Sequence, residues 1–306
     1  MSPVLALVLA LLGISFAAPL VRLSGAHPVV IALWRLGFSL VIVAAMLAAT
    51  GTWRQWRTLS RRDVLVAAGA GVMLALHFWS WNTSVGLTTI AASATIVNLM
   101  PAIVAVASAR WLGEIPSRRQ MAGIGVAMLG AFVIALPDFI GAASGTAPAA
   151  ASGATGSATA FVPRAALLGD LLALVGAVTA ALYYVAGRRL RATLDLWAYV
   201  GIVYGGCFVA LAAIAIAMRL PIWPQPPREL AIFLGLAVGP MLLGHTGMNY
   251  AMRYLPAYVV SLTTLGEPVG ATLLAMLIPG IAEVPGPWTL AGGAVLLGGV
   301  LLASRR

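Results

Sequence analysis

Apolar residues in this chain fall in runs of about twenty, and the breaks between runs are marked by arginine rather than by mixed charge. A helix crossing a bilayer needs about 20 mostly apolar residues at 1.5 Å rise each. Ten runs approach or pass that length: 3–23, 28–50, 64–84, 90–111, 119–137, 165–186, 196–218, 230–250, 256–278 and 287–303. The pattern therefore predicts an all-α membrane protein with ten transmembrane helices. The first run lacks the basic leader of a signal peptide and is followed by nine more, so it is read as retained.

Composition strengthens that reading. Of 306 residues, 61% are hydrophobic and 8% charged, against about 25% charged in a soluble domain. The net charge is +10, and all 18 basic residues are arginine. Because they sit in short clusters between apolar runs, they read as topology signals, and nucleic acid is not expected as a partner. The arginine-only, alanine-rich usage suggests a GC-rich bacterial genome and hence an inner (plasma) membrane. A single cysteine, Cys207, leaves no disulfide framework and no cysteine-based metal site.

The arginines also orient the bundle. With the N-terminus in the cytoplasm, thirteen fall on inside segments and four on outside ones, with Arg35 inside a run. Both termini then read as cytoplasmic. Residues 138–163 are small, nearly uncharged and rich in Gly, Ala, Ser and Thr. They read as a flexible external linker between a first unit, 1–137, and a second, 164–306.

The two units repeat one another. "WNTSVGLTTIAASATIVNLMP" (81–101) aligns with "MNYAMRYLPAYVVSLTTLGEP" (248–268), so that Asn82 matches Asn249 and Pro101 matches Pro268. With two residues inserted, Glu114 falls on Glu283, Pro116 on Pro285, Gly123 on Gly292 and Gly130 on Gly299. Five spans per unit is an odd number, so the second copy enters the membrane the other way round. Two inverted five-helix repeats are the expected build, with a substrate site near the midplane between them.

These residues also carry a family resemblance. The stretches 98–134 and 267–302 each resemble the EamA-type unit of the drug/metabolite transporter superfamily: a Pro-marked apolar helix, a Glu turn, then a Gly-rich helix. Residues 27–47 are similar to that family's second helix, with Arg35 at its usual arginine. The resemblance implies a ten-helix permease, usually exporting amino acids, related metabolites or drugs.

Polar groups inside the runs are the candidate chemistry. Glu267, in "TTLGEPVG", would cost about 2.5–3.5 kcal/mol at mid-membrane on insertion scales, so it should face the bundle interior or a wet cavity. It reads as a proton- or substrate-binding carboxylate, or as a hydrogen-bonding post between helices. Thr264 lies on its side of the helix, while Asn98 and Thr95 form a matching patch in the first unit. Pro101 and Pro268 each remove a helix hydrogen bond and mark candidate bending points.

His77 and Trp81 are i, i+4 neighbours, and His245 lies near Tyr250. They could build an aromatic wall for an amino acid or amine, although tryptophans at a span edge also serve as interfacial anchors. Thr179 and Tyr183 are again i, i+4 and add to the candidate list. Arg35, about 10 Å into its run, reads first as structural, with snorkelling and a partner for a substrate carboxylate as the alternatives. No metal, cofactor or enzymatic motif is expected. The expected activity is secondary transport by alternating access, moving a small metabolite outward with proton coupling through Glu267; the alternative is a flippase for a lipid or lipid-linked sugar.

Overall fold

The computed structural model describes residues 1–144, 163–281 and 284–304. The first half holds α1 (Pro3–Ser15), α2 (Ala17–Leu23), α3 (Pro28–Thr50), α4 (Arg61–Leu87), α5 (Ile90–Val97), α6 (Met100–Trp111) and α7 (Arg118–Ser144). The second holds α8 (Pro163–Arg191), α9 (Leu196–Ala217), α10 (Pro227–Leu236), a π-helical stretch Ala237–Thr246 and α11 (Gly247–Ala251). It continues with α12 (Ala257–Leu262), a 3-10 turn Thr263–Gly266, α13 (Glu267–Leu277) and α14 (Pro287–Ser304). No strand occurs among the described residues.

Local chemistry sets the ends. Ser2 Oγ accepts from the Leu5 N–H at 3.2 Å, with proline opening α1. Ser117 and Gln120 cap each other's backbone reciprocally at the start of α7. Gly51 closes α3 in the left-handed region, at φ 66°.

Among the described residues, eight helical stretches are long and apolar enough to cross a membrane, from Pro3–Leu23 to Ala257–Leu277, and Pro287–Ala303 is a shorter apolar helix. The chain is a multi-pass membrane protein. The helix read as ending at 137 is longer: α7 runs on to Ser144 with Pro137 inside it. An interior proline removes one hydrogen bond and kinks a helix without having to end it. Most of the predicted linker, 145–162, lies outside the described residues, as does Glu283.

Packing follows the sequence repeat. Helix α7 packs on α14, α3 on α9, and α5–α6 on α12–α13. The contact of α4 with α8 has its counterpart in that of α1 with the π stretch and α11. Exchanging the two halves preserves these pairings, as a two-fold relation requires.

The α7–α14 seam obeys the same exchange at the level of atoms. A Cβ added to Gly130 would lie 2.6 Å from the Gly292 carbonyl oxygen, and one added to Gly299 would lie 2.6 Å from that of Gly123. Backbones approach this closely only where both helices present glycine.

Candidate functional site

Two interrupted helices meet at the centre of the molecule. In the first half, α5 stops at Asn98 and α6 begins at Met100, because Pro101 has no N–H for the Val97 carbonyl. The Asn98 side chain covers the break by donating Nδ2 to the Ala94 carbonyl at 2.7 Å. In the second half the chain tightens into a 3-10 turn before Pro268, which cannot bond the Thr264 carbonyl. There the Glu267 N–H donates to that carbonyl instead, and Thr264 Oγ1 donates to the Ser261 carbonyl at 2.8 Å.

Across the break, Asn98 Nδ2 also lies 3.3 Å from Glu267 Oε2. The two side chains are 3% and 8% exposed, so the carboxylate sits among protein groups rather than in hydrocarbon. Both line a small cavity between the two halves. Its walls come from both halves: Ile14 and Ala17 near the α1–α2 junction, Arg35 of α3, and His77, Phe78 and Trp81 of α4. Opposite stand Ala180 and Tyr184 of α8, Pro240 and His245 of the π stretch, and Met248 of α11.

The aromatic side chains of the wall pack on one another. His77 stacks on Trp81 with centroids 6.2 Å apart and 5° between planes, and its Nδ1 pairs with the Gly176 carbonyl at 3.0 Å. His245 meets Phe78 edge-on at 5.3 Å and lies 6.1 Å from His77. The Trp81 Nε1 and His245 Nδ1 atoms are buried without hydrogen-bond partners. Arg35 is 1% exposed, with its Cζ 4.3 Å from the Phe78 ring centroid.

Of the residues singled out in the sequence, Glu267, Asn98, Thr264, His77, Trp81 and His245 come together on this cavity. Four others do not line it. Thr95 is buried on α5 with its hydroxyl unpartnered. Thr179 donates back to the Val175 carbonyl at 2.9 Å. Tyr183 lies one layer behind, 6.1 Å from the His245 ring and hydrogen-bonded by Asn249. Tyr250 points elsewhere, donating to the Met1 carbonyl at 2.7 Å beside Tyr254. Pro101 and Pro268 are buried at the two breaks.

Sequence reasoning missed Phe78, Tyr184 and Met248, and left Arg35 off the candidate site by favouring a structural role. On α8 it chose Thr179 and Tyr183, whereas the cavity takes Ala180 and Tyr184, one residue on and about 100° round the helix. Arg35 is fully buried in the cavity wall rather than snorkelling. The available signals were its depth in an apolar run and its match to the usual arginine of the family's second helix.

One end of the molecule is tied by ionic contacts. Arg188 Nε donates to Glu114 Oε1 at 2.6 Å, and the other oxygen of Glu114 accepts from the Ala257 N–H at 3.0 Å. Asp195 accepts from Gln55 and, at 2.8 Å, from Arg253. The Gln55 hydrogen bond first, then that from Arg253, holds the Asp195 carboxyl below its usual range.

The model of the EamA-like transporter family matches residues 1–136 and again 167–305. The chain belongs to that family. A solved structure described only as the crystal structure of a protein shares the fold at TM-score 0.72, with 20% identity over 99% of this chain and 96% of that one. No curated protein matches the sequence.

Proposed function

We propose that this chain is a secondary active transporter that works by alternating access between two inverted five-helix repeats, with ten spans and both termini in the cytoplasm. Its cargo is a small polar metabolite, of amino-acid or amine type, moved outward across a bacterial inner membrane. One observation supports this reading above the others. Glu267 and Asn98, from the broken helices of opposite halves, bond to each other on the wall of a shared cavity. Discontinuous helices from two repeats supply the sites of many carriers, and rocking of one half against the other changes which side such a site faces.

In this account Glu267 holds cargo or a proton, and Pro101 and Pro268 mark the points of bending. Family membership supports transport in general. Replacing Glu267 with Gln and measuring pH-driven flux in proteoliposomes tests the coupling. Loss of gradient dependence is expected, and an unchanged dependence would rule proton coupling out.

A second reading, a lipid flippase, draws on a largely apolar groove lined by Ile96 and Leu99, by Met128 and Phe132 of α7, and by Asp170, Leu171 and Leu174 of α8. The groove and the cavity share no lining residue: Val97 and Asn98 turn to the cavity, Ile96 and Leu99 to the groove. A flippase needs the two joined, so the carrier is the better fit.

A further inference from the structure

The ionically tied end of this protein holds more arginine than its acids can pair. Among the described residues the acidic side chains there are Asp63, Glu114 and Asp195. Each is already engaged, with Arg189 at 3.3 Å, Arg188 at 2.6 Å and Arg253 at 2.8 Å respectively. Arg191 turns inward to the Asn249 and Leu194 carbonyls. The stretch "TWRQWRTLSRR", residues 52–62, adds Arg54, Arg57, Arg61 and Arg62, all exposed and none in an ion pair.

Position decides what these four meet. They fall between α3, which ends at Thr50, and α4, which begins at Arg61, and both helices are long and apolar enough to cross a membrane. The 3-10 helix between them, Thr52–Thr58, therefore lies at headgroup depth, the level tryptophan favours. Trp53 and Trp56 are 37% and 38% exposed on it. The Cζ atoms of Arg54 and Arg57 lie 5.7 and 5.3 Å from the centroid of the Trp53 ring. An indole face attracts a guanidinium without neutralising it, and a guanidinium already held loses less freedom on binding. Two such forks gathered at one ring suit the oxygens of a phosphate, which accept paired hydrogen bonds. The same helix is fastened to the second half, so the arginines stand on an anchored element. Trp56 Nε1 donates to the Ala198 carbonyl at 2.9 Å, while Gln55 donates to the Asp195 carboxylate and accepts from its N–H at 3.0 Å.

We infer that the 3-10 helix Thr52–Thr58, with the start of α4, binds an anionic phospholipid. Arg54 and Arg57 hold the phosphate beside Trp53, and Arg61 and Arg62 add the charge that favours a net-negative headgroup over a zwitterionic one. The site shares no residue with the central cavity, so it does not depend on what the cavity carries.

The test mixes the whole chain, in neutral detergent, with equal amounts of phosphatidylglycerol and phosphatidylcholine of matched chains, and counts bound lipid by native mass spectrometry. The wild type should retain phosphatidylglycerol at least about fivefold better, the ratio that one favourable charge contact gives. Arg54→Gln with Arg57→Gln should bring the ratio close to one. Trp53→Leu, which keeps every charge, should lower it at least about twofold. Arg110→Gln with Arg118→Gln removes the same charge from exposed positions at the same end and should leave the ratio unchanged. An equal loss in both double variants would overturn the inference, by making the preference a matter of net charge. A wild-type ratio near one would also overturn it, and needs no variant to read. So would displacement of phosphatidylglycerol by excess inorganic phosphate, which would make this a site for a soluble anion.

Discussion

Asp195 lies between spans, where Gln55 and Arg253 hold its carboxyl below the ordinary range. A carboxylate whose folded pKa is depressed adds stability that is fully present above its unfolded pKa of about 4 and lost as pH falls through the folded value. Asp195→Asn should therefore melt below the wild type at pH 7, with the gap closing below about pH 4. Melting curves in detergent at both pH values check this, and a gap independent of pH would contradict it. Glu267, Asn98 and Thr264 were legible in the sequence, because a charge or amide inside an apolar run must turn to something polar. Arg35 was legible only as a set of alternatives, because depth along a helix says nothing about the direction of a side chain. Thr179 and Tyr183 were misplaced for a related reason: α8 is apolar on several sides, so spacing alone did not fix which face meets the cavity.

Helices are where sequence and structure agree best, and where the prolines carry meaning. Pro101 and Pro268 were readable as paired breaks, and each stands just after a helix interruption. Proline hidden in a continuing helix was less readable: Pro137 looked like an end, and Pro240 lies within the π stretch. If the paired breaks are bending points, Pro101→Ala and Pro268→Ala should keep or raise thermal stability while slowing initial transport. A slowing of about tenfold would follow from ~1.4 kcal/mol added to the rocking barrier. An unchanged rate would make both prolines static kinks. The α7–α14 seam calls for the opposite outcome. A Cβ at Gly299 would lie 2.3 Å from the Ala127 backbone nitrogen, so Gly299→Val should destabilise by about 1–3 kcal/mol or more. A melting temperature equal to wild type would contradict that packing.

At the scale of the molecule, the exchange of helix pairings between halves places a polar centre where the two units meet. The repeat was visible in matched Asn, Pro, Glu and Gly positions, but the sequence could not show that α4 and α8 mirror α1 and α11. That knowledge depends on long-range packing, which local patterns do not encode. The proposed carrier requires this centre to be wet and to face each side of the membrane in turn. Cysteine labelling reads this directly, since Cys207 is the sole native thiol and is buried. In a Cys207→Ala background, Thr264→Cys places a thiol on the cavity wall, and Val178→Cys places one on an exposed face of α8, outside both the cavity and the groove, as a control. Membrane-impermeant thiol reagent should modify the Thr264→Cys protein when added from either side and leave the control untouched. Modification from one side alone, or from neither, would contradict the account.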